Sequence, residues 1–167
     1  QIAIQASLTG HLVLSTLHTN DASTTLPRLL DMKVEPFLVV STVNVIIGQR
    51  LIRKLTESKE KYLLTKVQLD TLGKKVDLDH VLALLKEEKV VSASVTWDKV
   101  SFYTPKASKE SEDGFHGRVG IHEVLKVTNT IRELVMQEKS ASEIEMQARK
   151  EGMMTTLEDG IFKAVQG

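Results

Sequence analysis

The sequence predicts an α/β fold with a mostly helical C-terminal part, and three features of the chain predict it. An apolar run over 12–17 ends among polar residues and leads directly into a helical pattern. Residues 49–55 alternate apolar and basic positions, which is typical of a half-buried strand. Two helix starts are expected near the end of the chain, because Ser140 and Thr155 are each followed three residues later by a glutamate, the capping-box pattern.

The composition narrows the class of protein. Apolar residues make up 41% of the 167, enough for an aliphatic core. The 22 basic residues balance the 22 acidic ones, which argues against a nucleic-acid partner, since phosphate neutralisation dominates that affinity. No apolar run approaches the roughly 20 residues of a membrane span. The chain has no cysteine, which excludes disulfides and thiolate metal sites and fits a cytoplasmic protein.

The first third of the chain predicts alternating helices and strands. The end of a helix is expected over 1–8, a strand over 11–17 and a helix over 21–32. Pro27 lies inside the last of these and predicts a kink or a late start. A further helix is expected from Pro36 to about residue 47, because proline suits the first helical position, and the strand over 49–55 follows it.

The remainder of the chain predicts mainly helices. Two short helices are expected over 66–72 and 78–89, with Thr65 and Asp77 as their N-caps. The last part predicts a strand over 117–125 and three helices, which end near residues 137, 152 and 165.

Polar residues gather where the predicted strand over 11–17 ends. Thr16, His18 and Asn20 close or follow the apolar run. In open α/β sheets, ligands bind just outside the carboxyl ends of strands, where an imidazole and hydroxyls can contact a phosphate. The alternative is that His18 is a surface histidine that caps the next helix. His11 begins the strand about 20 Å from its other end, so the two histidines are not expected to serve one phosphate.

Three stretches resemble the secretion and pilus motor ATPases, the family of type II secretion, type IV pilus assembly and pilus retraction. The first is TGHLVLSTLHTNDA, which matches the histidine box, together with RLLDMKVEPFLV and QRLIRKL in the first 55 residues. The second is GRVGIHEVLKV over 117–127, and the third covers 131–167. Within the family the chain looks closest to the pilus assembly and type II secretion branch.

The resemblance implies a fold, cofactors and partners. It implies a RecA-like P-loop NTPase domain that binds ATP and Mg, works as a hexameric ring of like subunits, and meets an inner-membrane platform protein at the cytoplasmic face. Carried over from the family, His18 would sense the γ-phosphate or position water, helped by Thr16 and Asn20. Arg50, through the QRL match, would reach the nucleotide. Its position on the predicted strand also allows contact with a neighbouring subunit, or a solvated edge that blocks pairing between sheets.

The chain departs from the family pattern in two places. It contains no G-x-x-x-x-G-K-[ST] loop and opens on an apolar helix without an initiator Met, so we expect an inactive C-terminal part of a larger ATPase. Many assembly-type members carry a tetracysteine zinc site after QRLIRKL, where this chain has Thr56 and no cysteine, so we expect no zinc.

The expected organisation has three parts. Residues 1–55 would be the C-terminal part of the RecA-like core, 56–116 a helical insertion that replaces the zinc region, and 117–167 a strand with a helical subdomain. The histidines at 80, 116 and 122 are too scattered to predict a metal site. A competing hypothesis is a non-catalytic protein-interaction module of a secretion platform, which the neutral charge and the helical insertion allow.

Overall fold

The computed structural model describes residues 2–109 and 111–167 and shows a mixed α/β protein. The elements are, in chain order, α1 (Ile2–Leu8), α2 (Thr25–Asp31), α3 (Pro36–Thr42), β1 (Val45–Leu55), β2 (Lys59–Leu63), α4 (Lys66–Gly73), α5 (Leu78–Glu87), β3 (Ser101–Pro105), β4 (Phe115–Lys126), α6 (Asn129–Met136), α7 (Ala141–Lys150) and α8 (Thr156–Gln166). The α1 helix confirms the expectation for 1–8, of which Gln1 lies outside the described residues. Within the part of the chain that the structure describes, no helix has the length and apolar character needed to cross a bilayer.

The chain forms two compact units, each built from two segments. Unit 1 comprises Gln1–Gln49 and His122–Thr155, and unit 2 comprises Arg50–Ile121 and Thr156–Gly167. Because both units are discontinuous, residues more than a hundred positions apart are neighbours within one of them. The sequence-based division at residues 55 and 116, by contrast, follows chain order.

The described strands form two sheets of two strands each. The strand β1 pairs with β4, and β2 pairs antiparallel with β3 so that Tyr62 lies opposite Phe102. The predicted strands over 49–55 and 117–125 are confirmed as parts of β1 and β4. The pair β2–β3 is a correction to the helical insertion, because 56–116 contains a strand pair as well as two helices. Each of these strands has only five residues, too short for a clear alternating pattern.

The helices with local capping signals are confirmed. The Thr65 hydroxyl accepts a hydrogen bond from the Gln68 amide at the start of α4. The Asp77 carboxylate accepts one from the His80 amide, 3.0 Å away, at the start of α5. A helix begins at Pro36 as expected, but α3 ends at Thr42 and not near residue 47. The β-branched residues that follow favour the strand β1, which starts at Val45.

The strand expected over 11–17 is wrong. Residues 11–19 have no regular secondary structure, and Leu12 and Leu14 are 90% and 89% exposed. An extended segment becomes a strand only when a neighbour satisfies its backbone hydrogen bonds, and none of the described strands pairs with this one.

The late helix start that Pro27 predicts is confirmed, since α2 begins at Thr25 and the proline lies in its first turn.

Each unit has its own apolar core. In unit 1, α2, α3, α6 and α7 bury Leu26, Val39, Ile131 and Ile144 with Leu125 of β4. The core of unit 2 consists of Val76, Val81, Leu85, Val100, Phe102, Ile161 and Val165. Ala22 and Leu26 are both part of the core of unit 1. The segment that follows residue 20 therefore packs directly on this core.

Replacing Ser140 by alanine should destabilise the protein by about 1 kcal/mol. The Ser140 hydroxyl accepts from the Glu143 amide at 3.3 Å, while the Glu143 carboxylate accepts from the Ser140 amide at 3.0 Å and thereby has its pKa lowered. Urea denaturation would measure the loss. The matched control is Ser142→Ala in the same exposed turn, which should be neutral or slightly stabilising. Equal effects of the two substitutions would contradict the prediction.

Candidate functional site

A cavity of about 360 Å³, broadly open to solvent, lies in unit 1 where the irregular segment meets α2. Its lining residues are His18, Thr19, Asn20, Thr24 and Arg28. The histidine and asparagine come from the end of the irregular segment, and the arginine comes from the exposed side of α2. The cavity therefore combines an imidazole, a guanidinium, an amide and two hydroxyls.

The turn between Asn20 and α2 is organised by Asp21. Its carboxylate oxygen accepts hydrogen bonds from the Thr24 amide at 2.7 Å and from the Ser23 hydroxyl at 2.9 Å. The Thr24 hydroxyl donates to the same oxygen. An aspartate that bonds to groups two and three residues ahead closes a tight turn before a helix. The aspartate thus closes the turn that precedes α2, whose N-cap residue is Thr24.

A second set of hydrogen bonds holds the rim of the cavity. The Thr19 hydroxyl donates to the backbone oxygen of Asp21 at 3.0 Å and lies 2.9 Å from the hydroxyl of Thr25. The backbone amide of Ala22 donates to the carboxylate of Glu123, which comes from β4. Because Thr25, Ala22 and Glu123 are all buried, the backbone beside His18 and Asn20 is attached to the core.

The structure brings together some of the residues that the sequence nominated. His18 and Asn20 line the cavity, whereas Thr16 is exposed on the irregular segment and is not among the lining residues. Arg50 is an exposed residue of β1 and belongs to unit 2. The ring of His11 is also exposed, and its Nδ1 lies 3.0 Å from the hydroxyl of Thr9.

Three lining residues were not among the site residues that the sequence predicted: Thr19, Thr24 and Arg28. Thr24 and Arg28 are four positions apart, so a helix that starts near Thr24 places both on one side. The signal was present in the sequence, but it required the start of α2 to be known to within one turn. Helix boundaries are the least certain part of a sequence pattern, especially beside a proline such as Pro27.

The cavity suits an anionic ligand. A guanidinium binds phosphate or carboxylate oxygens with two parallel hydrogen bonds, and Arg28 carries that group into the cavity. The ring of His18 can donate or accept, and hydroxyl and amide groups beside it add neutral donors. Among residues 2–109 and 111–167, no group of three histidine, aspartate or glutamate side chains is arranged to hold a metal ion.

Purified protein should contain no stoichiometric zinc. This prediction depends on the sequence, which has no cysteine and only five scattered histidines. Elemental analysis of protein made without a histidine tag would measure the metal content. Close to one zinc per chain, retained after dialysis against a weak chelator, would contradict the prediction.

Comparison with known proteins establishes the family. The model of the family described as type II/IV secretion system protein matches residues 1–167, so the chain belongs to this family. The chain is 40% identical to the type II secretion system protein E of Xanthomonas campestris and 38% identical to the type IV pilus assembly ATPase PilB of Pseudomonas aeruginosa. It is also 38% identical to the type II secretion system ATPase E of Vibrio cholerae.

These three matches cover the whole chain but only part of each relative. The aligned region is 27% of the Xanthomonas protein, 26% of the Pseudomonas protein and 29% of the Vibrio protein. The chain therefore spans between a quarter and a third of the length of these relatives. The family resemblance expected from the histidine box and from the two later stretches is confirmed.

Proposed function

We propose that the chain supplies one wall of the nucleotide site in an ATP-hydrolysing motor for type II secretion or type IV pilus assembly. The observation that carries the proposal is the cavity that joins His18 and Asn20 to Arg28 in a member of this family. Two of the relatives are named as ATPases, which supports ATP as the ligand of that cavity.

The lining residues fit the phosphate part of a nucleotide. Bound ATP would supply the phosphoryl group, and Mg would neutralise charge on its oxygens. In this proposal Arg28 contacts phosphate oxygens, and His18 contacts the terminal phosphate or orients the attacking water. Asn20 donates a hydrogen bond at the same rim. That Thr16 assists it and that Arg50 reaches a nucleotide stay predictions from the family resemblance.

The proposal extends to the assembly. The motor would have a RecA-like core to which 1–55 contributes, followed by the insertion 56–116 and the subdomain 117–167. It would work as a hexameric ring of like subunits at the cytoplasmic face of the inner membrane, beside a membrane platform protein. The zero net charge supports protein partners over nucleic acid.

The 167-residue chain by itself should not hydrolyse ATP. Its sequence contains no phosphate-cradling G-x-x-x-x-G-K-[ST] loop, and the cavity offers one guanidinium in its place. Phosphate release from the chain should equal the buffer blank. Steady release that survives repurification and is lost in His18→Ala would contradict the prediction.

The matching experiment on the complete motor protein tests the proposal itself. Mg-dependent phosphate release is expected from the full-length protein, and Arg28→Gln should weaken it more than Lys33→Gln. Lys33 provides the control because it is an exposed cation just after α2 and does not line the cavity. Absence of turnover in the full-length protein would overturn the proposal and favour the interaction module.

A further inference from the structure

We propose that Glu123 is a positioning residue for the candidate site, and that Gly48 is required for it to act. The inference rests on the proposed function, because it concerns the same cavity. It starts from a buried carboxylate that the proposed chemistry does not use: the side chain of Glu123 is 5% exposed and lies within unit 1. Charged residues are seldom buried without a specific partner.

The first observation is where the carboxylate reaches. Glu123 Oε1 accepts a hydrogen bond from the amide of Ala22, a residue 101 positions away and only 1% exposed. Ala22 lies in the turn whose two ends, Asn20 and Thr24, line the cavity. The bond therefore connects the strand β4 to the backbone that carries the site.

The second observation is the space beside the carboxylate. A Cβ built on Gly48 would lie 2.7 Å from Cγ of Glu123 and 3.0 Å from its Oε1. Both distances are below normal van der Waals separation, so any side chain at this position would displace Glu123. The glycine thus leaves room for a carboxylate that would otherwise not reach the Ala22 amide.

These two contacts have a consequence for the site. The turn is held internally by Asp21 and Thr19, but those bonds fix its shape and not its place on the core. The bond from Ala22 to Glu123 fixes the place, together with the packing of Ala22 and Leu26 in the core. Because a shift of about 1 Å in a catalytic group can lower a rate about 100-fold, an anchor of this kind controls turnover without touching the ligand.

The first test measures the anchor directly by amide hydrogen exchange in the 167-residue chain. Gly48→Ala should accelerate exchange at the Ala22 amide by on the order of tenfold or more. Glu123→Gln keeps an oxygen of the same shape but a weaker, neutral acceptor, so its effect should be smaller. Gly160→Ala is the matched control, since its Cβ would meet nothing closer than 3.7 Å. The amide of Ile144 in the core reports any general loss of stability.

The second test measures turnover and nucleotide affinity in the complete motor protein. Gly48→Ala should lower kcat about 10- to 100-fold, with nucleotide affinity changed much less. Glu123→Gln should retain most of the activity, and Gly160→Ala all of it. The double variant that combines Gly48→Ala with His18→Ala should be no slower than His18→Ala alone. The anchor acts by positioning the segment that carries His18, so it has no effect once the imidazole is gone. A merely structural role would instead add its loss to that of His18→Ala.

The outcomes separate this inference from the proposed function. Normal turnover in His18→Ala would overturn both. A slow His18→Ala beside a Gly48→Ala with normal turnover would overturn the positioning role alone. If Gly48→Ala fails to fold, Glu123→Ala decides, since it removes the acceptor, and unchanged exchange at the Ala22 amide in that variant would overturn the anchor.

Discussion

His18→Ala in the complete motor protein should lower ATP turnover about 100- to 1000-fold, a loss of about 2.7–4 kcal/mol of transition-state stabilisation. The imidazole lines the cavity together with Arg28, and the backbone that follows it is hydrogen-bonded through Thr19 and Ala22, so it lies at the proposed phosphate site. A group that acts on developing charge affects kcat far more than ground-state binding. Steady-state turnover and the dissociation constant of a nucleotide analogue would be measured side by side.

His11→Ala is the control for this prediction. His11 lies seven residues before His18 and does not line the cavity. It is exposed, and its ring contacts the hydroxyl of Thr9. Its replacement should cost about 0.5 kcal/mol of stability or less and leave turnover normal. If both variants kept normal turnover, or if only His11→Ala lost it, the assignment of the site to the His18 end of the segment would be wrong.

Leu26→Ala should destabilise the protein by about 2–5 kcal/mol. The side chain of Leu26 is 0% exposed in the core of unit 1, and it lies on α2 between the cavity residues Thr24 and Arg28. Removing three carbon atoms from a close-packed core loses their transfer free energy and leaves a cavity. Urea denaturation would give the change from the midpoint and the slope.

Met32→Ala is the control for the core substitution. Met32 immediately follows α2 and is 58% exposed, so its replacement should change stability by about 0.5 kcal/mol or less. A Leu26→Ala variant as stable as Met32→Ala would contradict the packing that supports the site. Since alanine is a better helix former than leucine, a loss of stability in Leu26→Ala reports burial and not helix propensity.

The parts of the fold that were predicted correctly depend on local interactions. Thr65, Asp77 and Ser140 each bond to an amide three residues ahead, so the sequence alone places the starts of α4, α5 and α7. The start of α3 is also placed by the sequence alone, because Pro36 suits the first position of a helix. His18 and Asn20 line the cavity, although they were expected at the end of a strand that does not form, and their role in a nucleotide site stays a prediction.

The sequence by itself determined the α/β class, the capped helices, the family and the nomination of His18. Only the tertiary structure decided that residues 11–19 are irregular and exposed, that Arg28 shares a cavity with His18, and that Glu123 bonds to Ala22. The physical reason is the range of the interactions. A cap is complete within four residues, whereas strand pairing and the burial of a carboxylate depend on groups up to 101 positions away, which no local pattern specifies.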